Sequence, residues 1–129
     1  MKNKLTPHIL YYPNGNVLSK GQFNSKGEQV GVWESYHKNG QLWTKGFLKE
    51  GKLDGVWESY YENGNIRERT PYKKGKEDGY SKEFYPNGKV RVRYPYTNGV
   101  LDGIAEWLDL RGNLNKTITY KNGFIINKN

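Results

Sequence analysis

Counted from the glycine of each Asn-Gly pair, the second residue is Val17, Leu42, Ile66 or Val90, continued by Leu114 after the degenerate Arg111-Gly112. The eighth is Phe23 or its neighbour, Leu48, Tyr72, Tyr96 or Tyr120. Between them, odd positions carry Trp43, Lys45, Arg67, Arg69, Arg91 and Arg93. Alternation with period two places apolar and polar side chains on opposite sides of a β-strand. The pairs at 14–15, 39–40, 63–64, 87–88 and 111–112 then mark hairpin turns. Asn-Gly favours a two-residue type I′ turn because both central residues need positive φ. A second glycine series, Gly27, Gly51, Gly75, Gly99 and Gly123, supplies the return turns, with Asp54, Asp78 and Asp102 placed to cap their own turns by Asx-type bonds.

The Asn-Gly series has a period of 24 after one step of 25. Such a period signals a repeat architecture in which each unit stacks on its neighbours. The extra residue is expected as a bulge or longer turn around Asn24 and Ser25. The chain therefore reads as all-β: one domain over 1–129, an elongated, twisted, single-layer antiparallel meander of about nine or ten strands. No crossover is available for parallel pairing. Residues 1–7 are expected to fray, with strand character from His8.

Two-residue turns fix the facing pairs. On one face His37 meets Leu42, Ser35 meets Thr44 and Trp33 meets Gly46, followed by Tyr61 with Ile66 and Trp57 with Thr70. This is the packing face. The other carries Tyr36 opposite Trp43, Glu34 opposite Lys45, Tyr60 opposite Arg67 and Glu58 opposite Arg69. The third hairpin departs from this pattern. Phe84 faces Arg91, and Lys82 replaces the glutamate and faces Arg93. A like-charged pair is mildly destabilising, and a bridging anion favours its retention.

Composition supports a thin sheet. Only 34% of the 129 residues are hydrophobic and mean hydropathy is -0.99, which would not fill a thick core. Eleven Tyr, four Trp and sixteen Gly argue against disorder. With no Cys, disulfides and thiolate metal sites are excluded. No apolar run resembles a signal peptide or reaches the ~20 residues of a membrane span, so a soluble, cytoplasmic protein is expected. A net charge of +8 attracts acidic partners without selecting among them.

Catalytic chemistry has little support. His8 and His37 fall at unrelated repeat offsets, and His37 shares the column of Tyr61 and Tyr85, where a packing role is expected. One aspartate per repeat supplies too few oxygens for Ca²⁺, and no glycine-rich loop precedes a helix. Neither a metal nor another cofactor is expected.

The sequence G-V-W-E-S-Y-x-x-N-G-x-L/I followed by K/N-G-K-x-D-G resembles the MORN repeat (membrane occupation and recognition nexus), in the bacterial YwqK-type antitoxin variant. The resemblance runs from about Tyr11 to Phe124; the third unit has Tyr80-Ser81 where Val56-Trp57 would stand, and the last is eroded at Ile104-Ala105. It implies a twisted sheet of hairpins serving as an interaction scaffold and, for that variant, neutralisation of a toxin by binding it. Family members are also linked to phospholipid headgroups and protein scaffolding.

The basic stripe with interleaved aromatics is the candidate site: Tyr36, Trp43, Lys45, Tyr60, Arg67, Arg69, Lys82, Phe84, Arg91 and Arg93. Arginine beside aromatics is the composition of protein-interface anchors and of stacking platforms for single-stranded nucleic acid. The leading expectation is a non-enzymatic scaffold that captures an acidic protein, such as a toxin or defence protein. The alternatives are direct binding of nucleic acid, a nucleotide or an anionic lipid headgroup, and homodimerisation through an uncovered face or edge.

Overall fold

The computed structural model describes residues 4–129, which form strands and turns without a helix. In chain order the strands are β1 (Thr6–Tyr11), β2 (Val17–Phe23), β3 (Gln29–Tyr36), β4 (Leu42–Lys49), β5 (Lys52–Leu53), β6 (Gly55–Tyr60) and β7 (Ile66–Lys73). They continue as β8 (Lys76–Glu77), β9 (Gly79–Phe84), β10 (Val90–Thr97), β11 (Val100–Leu101), β12 (Gly103–Leu108), β13 (Leu114–Lys121) and β14 (Phe124–Lys128). All fourteen join one open antiparallel sheet in the order β1-β2-β3-β4-β6-β7-β9-β10-β12-β13-β14, with β5, β8 and β11 folded back on β4, β7 and β10. Those two-residue strands account for most of the excess over the expected nine or ten. Strand β1 begins at Thr6 rather than His8, and residues 1–3 of the expected frayed terminus lie outside the described residues.

The two turn series exchange the roles assigned to them from sequence. At Asn39-Gly40 the Gly40 amide donates to the His37 carbonyl at 2.9 Å and the His37 amide to the Gln41 carbonyl at 2.8 Å. Gly40 alone takes positive φ, at 92°, while Asn39 does not. Asn39 instead accepts the Gln41 amide on Oδ1 at 2.9 Å, a local bond that replaces the left-handed backbone of a type I′ turn. The result is a four-residue turn closed by a glycine bulge. The paired positive φ values occur in the other series, at Glu50-Gly51 (52° and 80°), Lys74-Gly75 (51° and 84°), Asn98-Gly99 (50° and 84°) and Asn122-Gly123 (50° and 86°). In the first unit the extra residue converts that short turn into Asn24–Gly27, closed by Gly27 N to Asn24 O at 3.0 Å, at the place expected from the 25-residue step.

Contacts between units repeat as regularly as the turns. The Tyr12, Tyr61 and Tyr85 hydroxyls donate to the carbonyls of Tyr36, Phe84 and Leu108 at 2.6, 2.5 and 2.7 Å. His37 lies 3.1 Å from the Tyr60 carbonyl through Nε2, so this column staples each turn to the next as well as filling space. Asp54, Asp78 and Asp102 do not cap their own turns. Each accepts, on Oδ1, the amide of Lys74, Asn98 or Asn122 in the following hairpin, at 3.1, 3.1 and 3.2 Å.

The core is sparse, as a single layer requires. Val92 and Ala105 are fully buried, and the small polar residues Ser59, Thr70 and Ser81 are buried as well. Thr70 and Ser81 hydrogen-bond across strands at 2.6 Å, and Ser35 bonds Thr44. Among the described residues, the Ser59 hydroxyl is buried without a partner. A buried, unsatisfied hydroxyl carries a desolvation cost of about 1–3 kcal/mol, so Ser59→Ala is expected to stabilise the fold by about 1 kcal/mol. A denaturant midpoint that falls instead of rising would contradict that account.

Candidate binding face

Cross-strand register lines one side chain per strand into a continuous row. Lys20 faces Glu34, Glu34 faces Lys45, Lys45 faces Glu58 and Glu58 faces Arg69. Arg69 then faces Lys82, Lys82 faces Arg93 and Arg93 faces Glu106. Signs alternate until Arg69, Lys82 and Arg93, where three cations are adjacent. Lys20–Glu34 (3.8 Å), Glu58–Arg69 (3.9 Å) and Arg93–Glu106 (2.9 Å) form ion pairs. Among the described residues Lys82 has no carboxylate partner.

Two further rows flank the charges, each two residues along the strands. On the Asn-Gly side stand Tyr36, Tyr60, Phe84 and Leu108. The Tyr36 and Tyr60 hydroxyls donate to Glu34 and Glu58 at 3.1 and 3.0 Å. Burial, and then the adjacent glutamate, raise both tyrosine pKa values. In the third unit hydroxyl and carboxylate disappear together, since Phe84 stands beside Lys82. On the other side Val32 faces Phe47, Val56 faces Pro71 and Tyr80 faces Pro95. Phe47 (47% exposed), Tyr80 (51%) and Ile104 (49%) leave this row open to solvent.

Seven of the ten expected site residues share this face: Lys45, Arg69, Lys82 and Arg93 in the charge row, with Tyr36, Tyr60 and Phe84 beside it. Trp43, Arg67 and Arg91 depart from the expected pairing. Each occupies the irregular step just after a turn, where Tyr36 faces Leu42, Tyr60 faces Ile66 and Phe84 faces Val90. Trp43 stacks on His37 with centroids 5.3 Å apart. Arg91 ion-pairs with Glu83, the residue opposite Val92, so it lies on the packing side. There it also acts on Tyr94, whose pKa is raised by burial and by Glu83 and lowered by Arg91. The extra residue of the bulge reverses the alternation at this one step.

The sequence reading missed the apolar row, although Val32, Val56, Tyr80 and Ile104 recur at the repeat spacing. It also missed a lysine-rich margin, where Lys49, Glu50, Lys52, Asp54 and Lys74 line an open hollow of about 350 Å³. Lys49 with Lys73, and Lys52 with Lys76, gave the same kind of signal.

Compared with known families, the chain matches the MORN repeat variant over residues 7–25, 29–50, 53–74, 77–98 and 101–122. No curated protein matches it.

Proposed function

The chain belongs to the MORN repeat variant family, and from that premise, since MORN repeats are often protein- or membrane-binding scaffolds, we propose a non-enzymatic scaffold that captures an acidic protein partner on the charged face. An antitoxin, immunity or counter-defence protein acting in the cytoplasm fits this reading, with occlusion of the partner as its mechanism. The observation that supports it is the break in the alternating row at Arg69, Lys82 and Arg93. Three adjacent cations work against the sheet's own stability, and an acidic partner supplies the missing carboxylates through charge-assisted hydrogen bonds. Tyr60 and Phe84 on one side and Val56 and Tyr80 on the other supply apolar area to bury.

The test compares the wild-type chain with the double variant Arg69→Ala, Arg93→Ala in cross-linked capture from extracts of the native cell. The wild type is expected to enrich an acidic protein at moderate salt, and the double variant to lose it. Both arginines belong to ion pairs at the sheet surface, half-buried for Arg93–Glu106 and more open at Arg69, whose contribution is about 1 kcal/mol each, so thermal stability should fall by no more than a few degrees. Undiminished capture by the double variant would remove the row from the account. Capture of nucleic acid with a steep dependence on salt would replace the protein-partner reading.

A further inference from the structure

The dimensions of the charged face constrain the shape of the segment that docks there; this inference rests on the scaffold reading above. Adjacent strands lie about 4.8 Å apart, so Arg69, Lys82 and Arg93 present cations at intervals of about 4.8 Å and span about 9.6 Å. Helix residues at i, i+3 or i+4, and i+7 share one face and rise by about 4.5 or 6 and then 10.5 Å. Same-face residues of an extended segment are about 6.7 Å apart, so the third would overshoot Arg93 by about 4 Å. The flanking rows stand two residues to either side, roughly 13 Å apart in all, which accommodates a helix of about 10–12 Å diameter. Glu58 and Glu106 close the cationic stretch at both ends, so carboxylates beyond those limits would meet like charge and fix the register.

We propose that the docking element is an amphipathic helix of the partner lying across β6 to β12 along the charge row. Its acidic stripe, about two turns long, rests on Arg69, Lys82 and Arg93. Apolar positions on either side of that stripe meet Tyr60 and Phe84 on one flank and Val56 and Tyr80 on the other.

The test uses two synthetic helix-forming peptides of identical composition. One carries glutamates at i, i+4 and i+7 flanked by leucines, and the other scatters the same glutamates around the helix. A single-stranded oligonucleotide is the third probe. Titration calorimetry and peptide circular dichroism are recorded with the wild-type chain and with Lys82→Ala. The striped peptide is expected to bind and gain helicity, with affinity at least about tenfold weaker for the scattered peptide or for Lys82→Ala. Equal affinity for the two peptides, no binding of the striped one, bound peptide that stays non-helical, or tighter binding of the oligonucleotide would each overturn the proposal. If these probes fail while capture of the native acidic partner still depends on Arg69 and Arg93, the helix inference falls and the scaffold reading stands. If capture is also independent of those arginines, both fall.

Discussion

Replacing Lys82 by glutamate is expected to make the protein more stable and to abolish partner capture. Register places residue 82 between Arg69 and Arg93, so Lys82→Glu turns two like-charged contacts into two opposite ones and restores the alternation seen from Lys20 to Arg69. Cross-strand charge pairs contribute roughly 0.2–1 kcal/mol each, which puts the gain near 1 kcal/mol and the rise in melting temperature at a few degrees. Binding moves the other way. Hydrogen bonds to charged groups contribute about 1.5–3 kcal/mol, and reversing the central charge adds repulsion of the partner's carboxylates. A loss of affinity of at least about thirtyfold follows. Thermal unfolding and a titration with the captured partner measure the two effects on one preparation. A variant that is less stable, or that binds as before, would contradict the assignment of this row.

The second large effect concerns packing. A Cβ built on Gly21 would lie 2.1 Å from Trp33 Cδ2 and 2.3 Å from Cε2. The backbone of Gly21 is not left-handed, so space alone demands glycine here. Gly21→Val would expel the indole from its contacts with His8 at 5.0 Å and Phe23 at 5.2 Å and break the bond from Trp33 Nε1 to the Gln22 carbonyl at 3.2 Å. Overpacking costs about 1–3 kcal/mol, and the lost contacts bring the expected destabilisation to about 3 kcal/mol or more. Gly15→Ala provides the comparison: its Cβ would meet nothing within 4 Å, and only φ of 92° opposes it, a cost of about 1–2 kcal/mol. Denaturant unfolding followed by tryptophan fluorescence ranks the two. Equal midpoints would mean that the indole does not depend on the space above Gly21.

The repeat period, the antiparallel meander and the separation of faces were legible because they depend on alternation within strands. Ser35 does face Thr44, Glu34 faces Lys45 and Trp33 faces Gly46, as expected from a two-residue turn that does not exist. Two irregularities cancel: the bulge at Gly40 displaces the ladder by one residue, and the step between Leu42 and Thr44 restores it. Only residues inside that interval are misplaced, which is why Trp43, Arg67 and Arg91 lose their expected cross-strand partners while Lys45, Arg69 and Arg93 keep theirs. Asn-Gly suits both turn types, so the choice between them rests on where the Asn39 side chain bonds. The aspartates failed for a related reason. An Asx bond within a turn and a bond to the next hairpin use the same side-chain oxygen, and only the stacking of units places Lys74 N–H beside Asp54.

The tyrosine and aspartate staples each reach only the following unit, so among the described residues no bond of this kind joins distant parts of the ribbon. Stretched by its two ends, such a chain would yield one hairpin at a time, and each hairpin lost would leave the remainder as well braced as before. Length and elasticity would therefore scale with copy number, and the cationic stretch of Arg69, Lys82 and Arg93, confined to the middle hairpins, would keep its shape while the extremities open.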